Sequence, residues 1–203
     1  RTMIDLGTAA RKYKNEKVKV GYYNASITNL NGFEYGKKIC ESCNNERVFF
    51  TINPNLNPNP EWICIECLKI ITIITTHNTA FGYVTNNLPK EMADESAIQH
   101  VSTESFDEMQ RTPRFLTLQG EHWMGHCNDF MDYIGTWEAP DFTNNSKDRN
   151  GKKLFNEMTD ADYQHLWDDF ELAENEFKYT WEDCLYHTFE CRKCKIRKGY
   201  WEI

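Results

Sequence analysis

Two Cys-x-x-Cys pairs, Cys40-Glu41-Ser42-Cys43 and Cys64-Ile65-Glu66-Cys67, constrain this chain more than any other feature. Two-residue spacing lets one tight turn aim both sulfurs at a single point. Two such turns, separated by a chain segment of ribbon length, complete a tetrahedral thiolate site of the kind zinc takes in structural roles. One pair alone would fit redox chemistry, but the doubled pattern without a βαβ context argues against it. Disulfides are the other reading. The polar, basic start from Arg1 to Lys19 lacks the apolar core of a secretory signal, so the expectation is a cytoplasmic chain with reduced thiols.

A third pair, Cys191-Arg192-Lys193-Cys194, needs two more donors to hold an ion. Candidates are Cys127, His126, His122, Cys184 and His187. The expected set is His126, Cys127, Cys191 and Cys194, with His122 the substitute for His126. The run Glu121-His122-Trp123-Met124-Gly125-His126 has the histidine spacing of a zinc-protease helix, but Trp123 stands where that helix needs its glutamate. The competing reading makes His126 and Cys127 core residues and Cys191 and Cys194 plain thiols.

Around these cysteines the pattern is α+β. The runs Val18–Tyr22 and Arg47–Thr51 carry the β-branched and aromatic bias of strands. The Asn-Pro repeats from Asn53 to Pro60 predict a loop, because proline brings no ladder donor. Ile63–Thr76 is the most apolar stretch; it is too short to span a bilayer and reads as a buried strand or helix. Residues 84–110 read as a loop with a short helix near Lys90 to His100. The spacing of Trp123, His126, Cys127, Phe130, Met131 and Ile134 predicts a helix from Gln119 to Ile134, placing His122 and His126 one turn apart. Asp141–Gly151 reads as a surface loop. Thr159 reads as the N-cap of a long helix whose buried stripe is Tyr163, Leu166, Trp167, Phe170, Ala173 and Phe177. Tyr186–Glu202 predicts a hairpin around Cys191 and Cys194. Residues 1–19 are expected to be a flexible arm. Residues 20–203 form one domain, with a zinc-ribbon-like part at 20–83 packed against a helical, hairpin-ended part at 111–203.

Composition narrows the function. Hydrophobic residues make up 40% of the chain and aromatic residues 14%, enough for a real core. The net charge of −8 disfavours a general nucleic-acid binder, although Arg192, Lys193, Lys195, Arg197 and Lys198 cluster locally. No phosphate-cradling glycine loop and no nucleophile elbow is present. Nothing in these motifs specifies an enzyme.

Arg111-Thr112-Pro113-Arg114-Phe115, then Gln119 through Trp123 to His126-Cys127-Asn128-Asp129, ending at Ile134-Gly135, resembles the CbrC family of bacterial colicin-tolerance proteins. The two early cysteine pairs, Trp62 to Leu68 around the second of them, and Phe189-Glu190-Cys191-Arg192-Lys193-Cys194 share the resemblance, which runs from about Val20 to the C-terminus. Lys195 departs from it, standing where a glycine often follows the last cysteine. The resemblance implies protection against a protein toxin and supplies no mechanism. The expectation is therefore a zinc-binding immunity or tolerance protein that binds and blocks a basic protein toxin, without a membrane or nucleic-acid partner. From Glu157 to Asp183 there are ten acidic residues against the single Lys178, and Asp168, Asp169, Glu171, Glu174 and Glu176 are the expected contact residues. The alternatives are a zinc-dependent enzyme open at His122, His126 and Cys127, or a regulatory nucleic-acid-binding zinc protein.

Overall fold

A computed structural model describes residues 17–29, 33–51, 62–64, 66–67, 77–79, 82–84, 101–110, 112–119, 122–171 and 184–202. The fold is α+β, with a central five-stranded sheet, a three-stranded ribbon and short helices.

The central sheet begins with a hairpin of β1 (Lys17–Val20) and β2 (Tyr23–Ser26), closed by a two-residue turn at Gly21-Tyr22. Gly21 has φ +56°, and a Cβ there would lie 2.2 Å from the Thr112 hydroxyl, so only glycine fits. Three further strands, β10 (Asp132–Thr136), β11 (Leu185–Glu190) and β12 (Arg197–Glu202), complete the spatial order β1-β2-β10-β11-β12. The β2–β10 pair is parallel, with Tyr23 opposite Tyr133; the other pairs are antiparallel. The predicted hairpin around Cys191 and Cys194 is β11–β12, in register from Leu185↔Glu202 to Glu190↔Arg197.

Strand β11 is buried on both faces, which produces two cores. His187 and Phe189 face Phe115, Tyr133 and Trp123, where the Phe115 and Tyr133 rings stack at 4.3 Å. Tyr186 faces the opposite way, onto Phe142, Phe155 and Trp201. Gly199 allows that approach: a Cβ there would sit 2.2 Å from the Tyr186 ring. Each buried aromatic contributes about 1.5–3 kcal/mol of hydrophobic stabilisation, so the sheet is anchored from both sides.

The ribbon comprises β3 (Phe33–Ile39), β4 (Glu46–Thr51) and β5 (Trp62–Cys64), paired antiparallel in that order. Its Cys40, Cys64 and Cys67 belong to the same buried cluster as Val18, Tyr22, Met109 and Phe115. Strands β6 (His77–Thr79) and β7 (Gly82–Val84) form a separate hairpin. Helix α1 (Thr103–Gln110) precedes the Thr112–Phe115 segment.

Several expectations are corrected. Residues 119–134 are not a helix: β8 (Gly125–His126) and β9 (Asp129–Phe130) form a hairpin that leads into β10. Burial alternates strictly from Met131 to Trp137, a period-two pattern that the three-four count missed by omitting Tyr133. His122 and His126 therefore share no helical face. The loop expected at Asp141–Gly151 is confined to 146–150: residues 141–145 belong to α2 (Ala139–Asn145), and Asn150 caps α3 (Gly151–Met158) through a 3.0 Å bond from the Lys153 N–H. Thr159 ends α3 instead of starting a helix; its N–H bonds Phe155 at 3.0 Å and its hydroxyl meets Tyr186 at 2.9 Å. A 3-10 turn at Ala161–Tyr163 and a short α4 (Leu166–Glu171) follow, with Trp167 buried but Tyr163 exposed. Lys17 to Lys19, expected in the arm, belong to β1 and pair with β2. In 84–110 the described helix is α1. The expectations for residues 1–16, Asn53–Pro60, Lys90–His100, Ala173 and Phe177 lie outside the described residues.

Candidate metal centres

The first donor set sits where the β3–β4 turn meets the end of β5. The Cys40 N–H bonds the Asn45 carbonyl at 2.9 Å, and the Asn44 N–H returns to the Cys40 carbonyl at 2.8 Å. This curls Cys40 and Cys43 around one point, and Asn44 takes φ 56° to let the chain turn away. The second pair arrives from β5, and the Cys64 N–H points at the Cys40 sulfur, 3.3 Å away. The four sulfurs all lie within 4.8 Å of one another. Cys43 and Cys64 are 3.8 Å apart, against about 3.8 Å for the edge of a tetrahedron with 2.3 Å metal–sulfur bonds. A disulfide would hold them at about 2 Å, and no disulfide joins the described cysteines.

The surroundings pull the sulfurs in opposite directions. The Asn45 amides, backbone first, bring the Cys43 thiol down to about 6. Burial pushes Cys67 up to about 12. Four converging sulfurs cannot all ionise in a mostly buried site without a cation to offset them, and a divalent, soft-tolerant metal would fit that need.

The second set repeats the turn. The Cys191 N–H bonds the Ile196 carbonyl at 2.8 Å, and the Lys195 N–H bonds the Cys191 carbonyl at 3.1 Å, with Lys195 at φ 63°. The β8–β9 hairpin meets it from the side. Its turn residues Cys127 and Asn128 have φ 54° and 55°, the two positive values of a type I′ turn. His126 Nδ1 lies 3.1 Å from the Cys127 sulfur and 3.2 Å from the Cys194 sulfur. The donor atoms of His126, Cys127, Cys191 and Cys194 all fall within 4.8 Å of one another. The hydrogen bond with Cys194, followed by burial, pushes the Cys127 thiol up to about 11, and the Ile196 N–H lowers Cys194. Three thiolates and one imidazole at this spacing fit zinc as well as four thiolates do.

Of the other candidates, His122 is exposed and its N–H meets the Tyr200 hydroxyl at 3.1 Å. Cys184 is buried and lies in neither set. His187 is buried against Glu202, 3.0 Å away. The expected basic cluster is largely neutralised. Arg192, between the two turn cysteines, bonds Asp132 at 2.6 Å, Glu108 at 2.9 Å and the Gly21 carbonyl at 2.6 Å, with its guanidinium 3.8 Å from the Tyr22 ring centre. Lys193 bonds the Cys127 carbonyl at 2.9 Å, and Arg197 and Lys195 pair with Glu190. Sequence reasoning missed Arg192 as a tie between four elements; its only signal was position inside the turn. On α4, Asp168 pairs with Lys152 at 2.6 Å and Asp169 lies 3.9 Å from His165. Glu174 and Glu176 lie outside the described residues, as does the side chain of Glu171.

A family model matches residues 19–202 and so spans both donor sets and nearly the whole chain. The chain belongs to the uncharacterised protein family UPF0167. No curated protein and no solved structure matches the chain. All eight donor residues fall within the matched span, so the geometry described above is that of a UPF0167 domain. Among the described residues, no helix is long and apolar enough to cross a membrane.

Proposed function

We propose that this chain is a zinc-binding immunity or tolerance protein that carries two structural ions and acts by binding a basic protein toxin. The observation that carries the zinc reading is the convergence of two four-donor sets, each with its four donor atoms within 4.8 Å of one another, as a closed tetrahedral site requires. A catalytic zinc keeps one position for water, whereas each set here offers four protein donors, which favours a binding protein over an enzyme. The toxin reading draws on the CbrC resemblance of Arg111–Phe115, Gln119–Asp129 and Phe189–Cys194. The net charge of −8 suits a basic partner. The proposed contact surface centres on Asp169 and its neighbours Asp168 and Glu171 on α4, continuing to Glu174 and Glu176. Asp168 contributes less than its charge suggests, because Lys152 already pairs with it.

X-ray absorption at the zinc edge tests the first half. Two zincs per chain with averaged sulfur-rich, one-histidine coordination and no water ligand are expected; a water ligand favours the zinc-enzyme alternative. Capture of toxins from the source bacterium on immobilised protein tests the second half. A bound basic toxin, lost on Asp169→Lys, is expected; protection of cells that survives this change removes α4 from the contact surface.

A further inference from the structure

We infer that Cys127 and Cys194 are a peroxide-sensitive pair: oxidation joins them in a disulfide and dissolves the second metal set, while the first set stays intact. The inference rests on the zinc reading of the second set.

Exposure separates the two sets. Cys40 and Cys64 are 0% exposed and Cys67 is 5% exposed, and the fourth member, Cys43, is half-buried. Cys127 and Cys194 are both exposed, each within a tight turn. Cys191 is not available in the same way, being 1% exposed beneath its turn. Cys194 also lines an open groove of about 990 Å³ with Asn145, Lys153, Glu157 and Ile196, so a small solute reaches it directly. The sulfurs of Cys127 and Cys194 lie within 4.8 Å of each other, so side-chain rotation closes the gap to bonding distance.

The chemistry balances with a hydroperoxide as oxidant. The Cys194 thiolate attacks one peroxide oxygen; the O–O bond breaks, hydroxide or alkoxide leaves, and Cys194 becomes a sulfenic acid. The Cys127 thiolate then attacks that sulfur, the S–O bond breaks and hydroxide leaves. Two electrons pass from the two thiolates to the peroxide. Cys191 and His126 remain as two donors, too few for a closed tetrahedral site.

Native mass spectrometry of the full, zinc-loaded chain during titration with hydrogen peroxide tests this, with disulfide mapping of the product and reduced glutathione as the oxidation control. The expected result is loss of one of two ions, a single Cys127–Cys194 link, and recovery on reduction with added zinc. Retention of both ions after the glutathione is oxidised overturns the inference, as does first release from the Cys40 set or a Cys191–Cys194 link. A wild-type chain that carries fewer than two ions instead overturns the zinc reading of this set, and the inference falls with it.

Discussion

Asn44 and Lys195 occupy the same place in two copies of one turn. Each follows the second cysteine of its pair, each has positive φ, at 56° and 63°, and each donates its N–H to the carbonyl of the first cysteine. Asparagine tolerates this left-handed conformation, and lysine does so only at a cost of about 1 kcal/mol.

Lys195→Gly should therefore stabilise the protein by at most about 0.5 kcal/mol, because the entropy that glycine adds to the unfolded chain offsets most of the strain relief. The ion pair lost with Glu190, at 3.7 Å on an exposed side chain, offsets little of this. Urea unfolding of the zinc-loaded protein measures it. Lys195→Val should move the other way.

Cys40→Ser and Cys127→Ser should differ in kind. The first removes a buried ligand from a core, where zinc contributes apparent stability of roughly 10–16 kcal/mol, and should give insoluble or partly unfolded protein. The second should leave a soluble, folded chain with one zinc fewer. Elemental analysis beside circular dichroism distinguishes the two outcomes, and equal solubility of both variants would contradict the placement of the first set in the core.

Arg192→Met should destabilise by about 2–4 kcal/mol, because it leaves Asp132 and Glu108 without their partner at a partly buried site. Burial already pushes the Asp132 carboxyl up from its ordinary value against the pull of Arg192. Since Arg192 lies between Cys191 and Cys194, competition with a chelator should also strip one ion from the variant sooner than from the wild type.

Glu202 predicts an acid-side effect. Burial works to raise its carboxyl, but the hydrogen bonds from His187 and the Leu118 N–H outweigh that and hold it below the ordinary value. A carboxyl lowered by folding stabilises the native state above the unfolded value, about 4.3, and loses that contribution as pH falls through the folded value. The stability difference between wild type and Glu202→Gln should shrink as pH falls below about 4.3. Taking the difference between the two proteins cancels zinc loss, which acid drives in both as protons compete for the thiolates.

The cysteine turns were legible in sequence because their geometry is local: four consecutive residues decide where two sulfurs point. The β11–β12 hairpin followed from the same logic. The β8–β9 hairpin was not legible, since Cys127-Asn128 carries no glycine to announce two positive φ values. His126 and Cys127 were expected as ligands by donor type, and the structure brings them to Cys191 and Cys194 on a hairpin in place of the expected helix. The helix start expected at Thr159 was misplaced for a different reason: the apolar spacing carries on across a chain that leaves α3 at Thr159, where the hydroxyl meets Tyr186, bends through a 3-10 turn and starts a new helix at Leu166.

The parallel pairing of Tyr23 with Tyr133 has a consequence for how the chain is made. The partners are about 110 residues apart, so at ribosomal speeds β10 emerges roughly 5–20 s after β2. During that interval the first hairpin has no neighbour, whereas the ribbon carries all four of its own thiols and can close as soon as Cys67 leaves the exit tunnel. A metal taken up at that stage would close the ribbon before β10 is available, and the central sheet, whose β10, β11 and β12 all lie beyond residue 131, can be completed only after that.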